Sequence, residues 1–223
     1  MQRLSDRRIA TFFALLLASG ACCALVLVRM QQTGEIHYRF LVWNLFLAWI
    51  PFLVALVLYD GARRGLGGGP LLMLGAVWLV FLPNAPYIAT DFIHVGRIGG
   101  APLWFDALLV ASFAGTGLLL GLASLLLVQS VVARATRPLW GWVAIVPLLA
   151  ACSTGIVLGR VYRFNSWDVL SEPESILRLV ADKAADPAAA IGGLMTVAAL
   201  TGALGIAYLV LYALSGLADE RDG

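Results

Sequence analysis

Apolar residues run almost unbroken through six stretches of the chain, at 9–29, 40–59, 70–92, 103–132, 139–159 and 189–214, and polar residues return only briefly between them. A helix needs about 20 residues to cross a hydrocarbon core of roughly 30 Å, and each stretch reaches or approaches that length. The pattern predicts an all-α, polytopic membrane helix bundle of about six transmembrane helices, with the whole chain, 1–223, as one transmembrane domain. Most connections are short, as in QQTGEIHYR, DGARRGLGGG and ARATRP. Six spans bring both termini to one side.

The third stretch is broken. In WLVFLPNAPYIATDFIHV, residues 78–95, Pro83 and Pro86 each remove a backbone donor and free carbonyls one turn upstream. Residues 71–82 rise only about 18 Å at 1.5 Å per residue, so the chain has to continue through the prolines to cross. Lipid cannot satisfy the freed carbonyls. Such backbone is tolerated where protein buries it or where it lines a wet cavity, and Asn84 is placed to satisfy part of it. Both a packed kink and the floor of a polar site fit this segment.

The fifth connection also has structure of its own. SEPESILRLVADK predicts an interfacial helix at about 172–183, in which Ile176, Leu177, Leu179 and Val180 oppose Arg178, Asp182 and Lys183. Ser171 and Glu174 have the spacing of a capping box around Pro173.

Composition agrees with the pattern. Hydrophobic residues make up 61% of the chain and charged residues 13%, with a mean hydropathy of +0.90, too apolar for a soluble domain. The net charge of +2 has no basic face apart from the membrane flanks, which argues against a nucleic-acid partner. Cys22, Cys23 and Cys152 all lie inside apolar runs, where a packing role is expected. The first apolar run is too long for a signal-peptide core and reads as an uncleaved span. Lys and Arg nearly balance between the two sides. Discounting the longest connection, with Arg160, Arg163, Arg178 and Lys183, leaves the excess with the termini and predicts a cytoplasmic-membrane protein with both termini in the cytoplasm. Gly65 to Gly69 lacks the Lys and Ser/Thr of a phosphate loop and reads as a helix approach.

The polar residues that stand out gather near the ends of the odd-numbered connections, and alternation puts these on one face. Asp91 and His94 are three apart, so a helix would present both to one divalent metal or to an acid–base reaction, with Asp106 as a third member. Hydrogen bonding or ion pairing is the plainer use of the same groups. Arg160 and Arg163 are also three apart and suit a shared anion, while pairing with Asp91, Asp106 or Asp168 would make them a clamp instead. Asn84, Asn165, Trp104 and Asp168 are read as positioning residues, and Trp104, Trp167, Tyr38, Tyr87 and Tyr162 as an aromatic belt. Small residues at Gly117/Gly121 and from Ala198 to Gly205 predict close helix contacts, with a homo-oligomer surface as the lesser alternative.

Together, HYRFLVWNLFLAWIPF, FLPNAPYIATDFIHV, LWFDALL and GRVYRFNSWDVL resemble the bacterial membrane family called domain of unknown function 1361, in that family's order from about residue 37 to 170. The resemblance implies a multi-spanning membrane protein and carries no activity with it. From the residues themselves, the expected function is an outer-face polar pocket binding or modifying an anionic lipid or envelope amphiphile. Membrane lipid is then the partner, and a protein partner is left unspecified. The alternatives are an assembly protein with an ion-paired outer clamp and a small-solute transporter.

Overall fold

A computed structural model describes residues 2–96 and 100–220, excepting the side chains of 2–7 and 217–220. Arg3, Arg7, Arg97 and Arg221, which enter the charge count above, therefore lie outside the described side chains. The described chain is helical throughout: α1 (Gln2–Thr33), α2 (Arg39–Arg63), α3 (Gly68–Phe81), the short α4 (Asn84–Tyr87) running into a 3-10 helix (Ile88–His94), α5 (Leu103–Ala135), α6 (Pro138–Tyr162), α7 (Asp168–Ser171), α8 (Pro173–Ala185) and α9 (Pro187–Glu220). Six segments are long and apolar enough to cross a membrane, and the third is α3, α4 and the 3-10 helix taken together, Gly68–His94. The chain is thus a multi-pass membrane protein. Its two faces are called terminal, where α1 begins and α9 ends, and distal.

The central helix is α5, which packs on α1, α2, α6 and the broken third span. One apolar core joins α1, α2 and α5 through residues such as Cys22, Leu41, Leu45, Phe52, Leu109 and Phe113. A second joins α5, α6 and α9 through Leu125, Ile145, Leu149, Cys152 and Tyr208. Buried polar groups inside the bundle are bonded there: Trp78 Nε1 donates to Ser124 Oγ at 3.1 Å, Cys22 Sγ lies 3.5 Å from Thr116 Oγ1, and Tyr208 donates to Gln129.

The proline break is held by protein. Glycines on α5 and α6 admit it: a Cβ on Gly117 would stand 2.6 Å from the Ala85 carbonyl oxygen, one on Gly121 3.0 Å from Ala85 Cβ, and one on Gly155 would overlap Pro83. Asn84 Nδ2 donates to the Phe81 carbonyl at 2.9 Å, satisfying one acceptor freed by the break. The small residues Gly117 and Gly121 thus seat the third span. The pattern on α9 does not do the same work, since Gly202 faces open space and Gly205 makes only an ordinary 3.9 Å contact with Leu149.

The amphipathic helix of the fifth connection forms as α8 with no buried residue, but its start differs from expectation. Ser171 closes the separate turn α7, its hydroxyl bonding back to the Trp167 carbonyl at 3.3 Å, and Glu172 occupies the N-cap position without a side-chain cap bond. Proline at the first helical position tolerates this because it has no N–H to satisfy there.

Candidate functional site

Two arginine–aspartate pairs organise the distal face. Asp91 sits in the 3-10 helix, only 1% exposed, and is reached from two other helices. Arg160, in the last turn of α6, donates from Nη1 to Asp91 Oδ1 at 3.1 Å and from Nη2 to the Thr90 carbonyl at 2.6 Å. Asn44, in the second turn of α2, donates to Asp91 Oδ2 at 3.0 Å. The Arg160 guanidinium also lies 5.4 Å from the Tyr87 ring centroid and 3.3 Å from its hydroxyl. Both carboxylate oxygens are thereby occupied. Asp91 is the counter-ion of Arg160.

Asp106, in the first turn of α5, pairs elsewhere. Arg29 near the end of α1 reaches it through Nε at 2.7 Å and Nη2 at 3.3 Å, and both side chains are 1% exposed. Tyr38 Oη lies 3.3 Å from Asp106 Oδ2 and 3.2 Å from the His94 carbonyl, so its one proton is shared between two acceptors. The Arg29 Cζ stands 4.5 Å from the Tyr38 ring centroid. Burial first, and then the neighbouring carboxylate, push the Tyr38 phenol up to about 12, which keeps it a hydrogen-bond donor.

Several sequence expectations change with this geometry. Asp106 does not gather with Asp91 and His94 into a metal-holding group, and Arg29 bonds both of its oxygens. Among the described residues no three His, Cys, Asp or Glu side chains gather in a way that could hold a metal. The His94 ring stands edge-on to Phe40 at 5.2 Å and borders a cavity. Trp104 is 66% exposed and is not among the side chains lining that cavity. Tyr38 leaves the belt altogether, being buried under Arg29. Arg29 and Asn44 are the residues that spacing alone undervalues: each is a strong polar group within a turn or two of a span end, and its partner lies dozens of residues away.

The cavity encloses about 580 Å³ between α2, the broken third span, α6 and the turn before α7. Trp43, Leu47, Val80, Ile93 and Leu158 give it an apolar wall; Asn84, His94, Arg160, Arg163, Asn165 and Ser166 give it a polar one. Helix α6 ends at Tyr162, so Arg163 is not a helical neighbour of Arg160. It takes the left-handed conformation at φ 63°, turning the chain at the helix end. The turn beyond it is fastened by Asp168 Oδ2, which accepts from the Asn165 backbone N–H at 2.6 Å and from its amide at 3.2 Å. Ser166 Oγ accepts from Asn84 Nδ2 at 2.7 Å and ties that turn to the proline break. Arg160 and Arg163 thus meet at one cavity by different routes. Arg160 is balanced by Asp91, and among the described residues Arg163 has no acidic partner.

No curated protein and no solved structure matches the chain. A family model described as a protein of unknown function, DUF1361, matches residues 43–201, a region that holds the proline break, Asp91, Asp106, Arg160 and the whole turn from Arg163 to Asp168. That match spans more than half of the sequence, and the chain belongs to the DUF1361 family.

Proposed function

We propose that the distal cavity binds an amphiphile with an anionic head, such as a membrane lipid or an envelope precursor of similar build. The observation that carries this reading is the cavity wall: an arginine without a carboxylate partner among the described residues, set across from tryptophan and aliphatic side chains. Arg163 receives the anion, since a guanidinium can hold a phosphate or carboxylate through two parallel hydrogen bonds. Arg160 stands behind it as a cation fixed by Asp91, adding field without having to be reoriented. Asn84, Ser166 and Asn165 hold the polar wall in shape, and His94 is the acid–base group beside the bound head. A bacterial cytoplasmic membrane, with both termini in the cytoplasm, is the setting this reading adopts from the charge distribution.

The test is lipid analysis by mass spectrometry, with metal analysis of the same samples, on detergent-purified parent and Arg163→Gln protein. The parent should retain about one more anionic amphiphile per chain than the variant, which should unfold at an unchanged temperature. Retention of equal amounts by both would end the proposal.

A second reading rests on its own observation. The pairs Arg29–Asp106 and Arg160–Asp91 join α1 to α5 and α6 to the third span, which would suit a protein whose distal polar residues serve assembly alone. In that case a double-mutant cycle at Asp91 and Arg160 shows strong coupling in stability, and no ligand is found. Transport has less support, because Thr116 and Ser124, at mid-depth, are bonded within the bundle.

A further inference from the structure

The terminal face carries a second group of arginines, remote from the distal cavity. Arg8 of α1, Arg63 of α2 and Arg134 of α5 surround one aromatic ring, their Cζ atoms 5.1, 5.8 and 5.1 Å from the centroid of Tyr59. Arg134 donates to the Tyr59 hydroxyl at 3.1 Å, and Arg8 donates to Asp60 at 2.6 Å. Among the described side chains Asp60 is the only carboxylate ion-paired with this group, so three guanidiniums share one counter-charge. Arg8 Nε is buried, with no acceptor among the described residues.

Beside the cluster lies a groove of about 230 Å³ between α1, α2 and α5, walled by Phe52, Leu56, Leu126 and Leu127. Phe52, Leu56 and Tyr59 follow one another at spacings of four and three on α2, so they line a single side of it. From the ring the groove therefore runs about 10 Å toward the middle of the span, at 1.5 Å per residue. A ligand matching both parts has a negative head that accepts several guanidinium hydrogen bonds and a hydrocarbon tail directed into the bilayer. Arginine and tyrosine belong at that depth, and each basic residue near a membrane surface adds measurable attraction for anionic lipid.

We propose that this groove is a binding site for one anionic phospholipid of the terminal-side leaflet, its phosphate among Arg8, Arg63 and Arg134 and an acyl chain along Phe52 and Leu56. The occupant is a lipid and not free phosphate, because the apolar groove meets the cluster at Arg8 and Tyr59, which line both. The site is independent of the distal cavity. Both could hold an anionic lipid, so the experiment uses Arg163→Gln protein, in which the distal cavity is disabled.

That protein is mixed with detergent micelles containing phosphatidylglycerol or phosphatidylcholine at equal concentration, and retained lipid is counted by native mass spectrometry. Phosphatidylglycerol should be held in preference at about one per chain, and affinity should fall about fivefold for each of Arg63→Gln and Arg134→Gln. The Arg63 side chain makes no hydrogen bond among the described residues, so its variant tests the site even where loss of Arg134 disturbs folding. Leu56→Trp, which fills the groove and leaves every arginine in place, should also expel the lipid. Equal retention of the two phospholipids would overturn the proposal, as would undiminished binding by Leu56→Trp or displacement of the lipid by inorganic phosphate alone.

Discussion

The two arginine–aspartate pairs of the distal face are alike in chemistry and differ in closure. Arg29 and Asp106 are both 1% exposed, and Tyr38 covers the guanidinium while bonding the carboxylate. Arg160 is 21% exposed although its partner Asp91 is sealed, and its open edge borders the cavity. A closed pair can only hold helices together. A half-open one holds helices and also presents a positive charge to whatever enters, so a structural bond and a binding surface share one side chain.

The largest effect should come from breaking the closed pair. Asp106→Ala leaves Arg29 charged in a sealed site and should cost about 3–5 kcal/mol in reversible unfolding, while Arg29→Met with Asp106→Leu should recover most of that loss. Breaking the open pair should cost less, about 2–3 kcal/mol for Asp91→Ala, because Arg160 can turn toward the cavity. The same variant should bind anionic amphiphile more tightly than the parent in a lipid-retention assay, since Arg160 is released from its counter-ion. Equal stability costs for the two aspartates, with no gain in binding, would erase the distinction. Gly155→Val should destabilise by about 1–2 kcal/mol through its collision with Pro83, while Gly202→Val, facing open space, should leave the unfolding midpoint in place. The smallest change separates stability from binding at one residue. Arg163→Gly should relieve the left-handed backbone and stabilise the protein by about 1 kcal/mol, and it should also deplete the retained amphiphile.

The spans were legible because an apolar run of membrane length has few other uses: 103–132 in the sequence reading becomes Leu103–Ala135, and 139–159 becomes Pro138–Tyr162. The broken third span was legible too, because proline chemistry does not depend on tertiary context. Alternation likewise brings Asp91, Asp106 and Arg160 to one face. It says nothing about azimuth around the bundle, and azimuth decides partners. Asp106 therefore reads as a neighbour of Asp91 when it turns instead toward α1, and Arg29 reads as a flank when it is wholly buried. The partner of Asn44, a polar residue of that same face, is hidden for a related reason: Asp91 lies 47 residues away on a segment whose 3-10 geometry changes which side chains face α2.

The glycine seat around Pro83 and Ala85 also bears on how the protein is made. Helix α3 has 14 residues, roughly 21 Å of rise, too short to cross alone, and the segment that completes the crossing rests on Gly117 and Gly121 of α5 and on Gly155 of α6. Those helices leave the ribosome later. Until they arrive, the carbonyls freed at the break face either lipid, which cannot bond them, or a protein-conducting channel, which can keep them wet. The third span of this fold is thus inserted on credit from sequence not yet translated, and a chain stopped before residue 155 would hold it in the membrane incompletely seated.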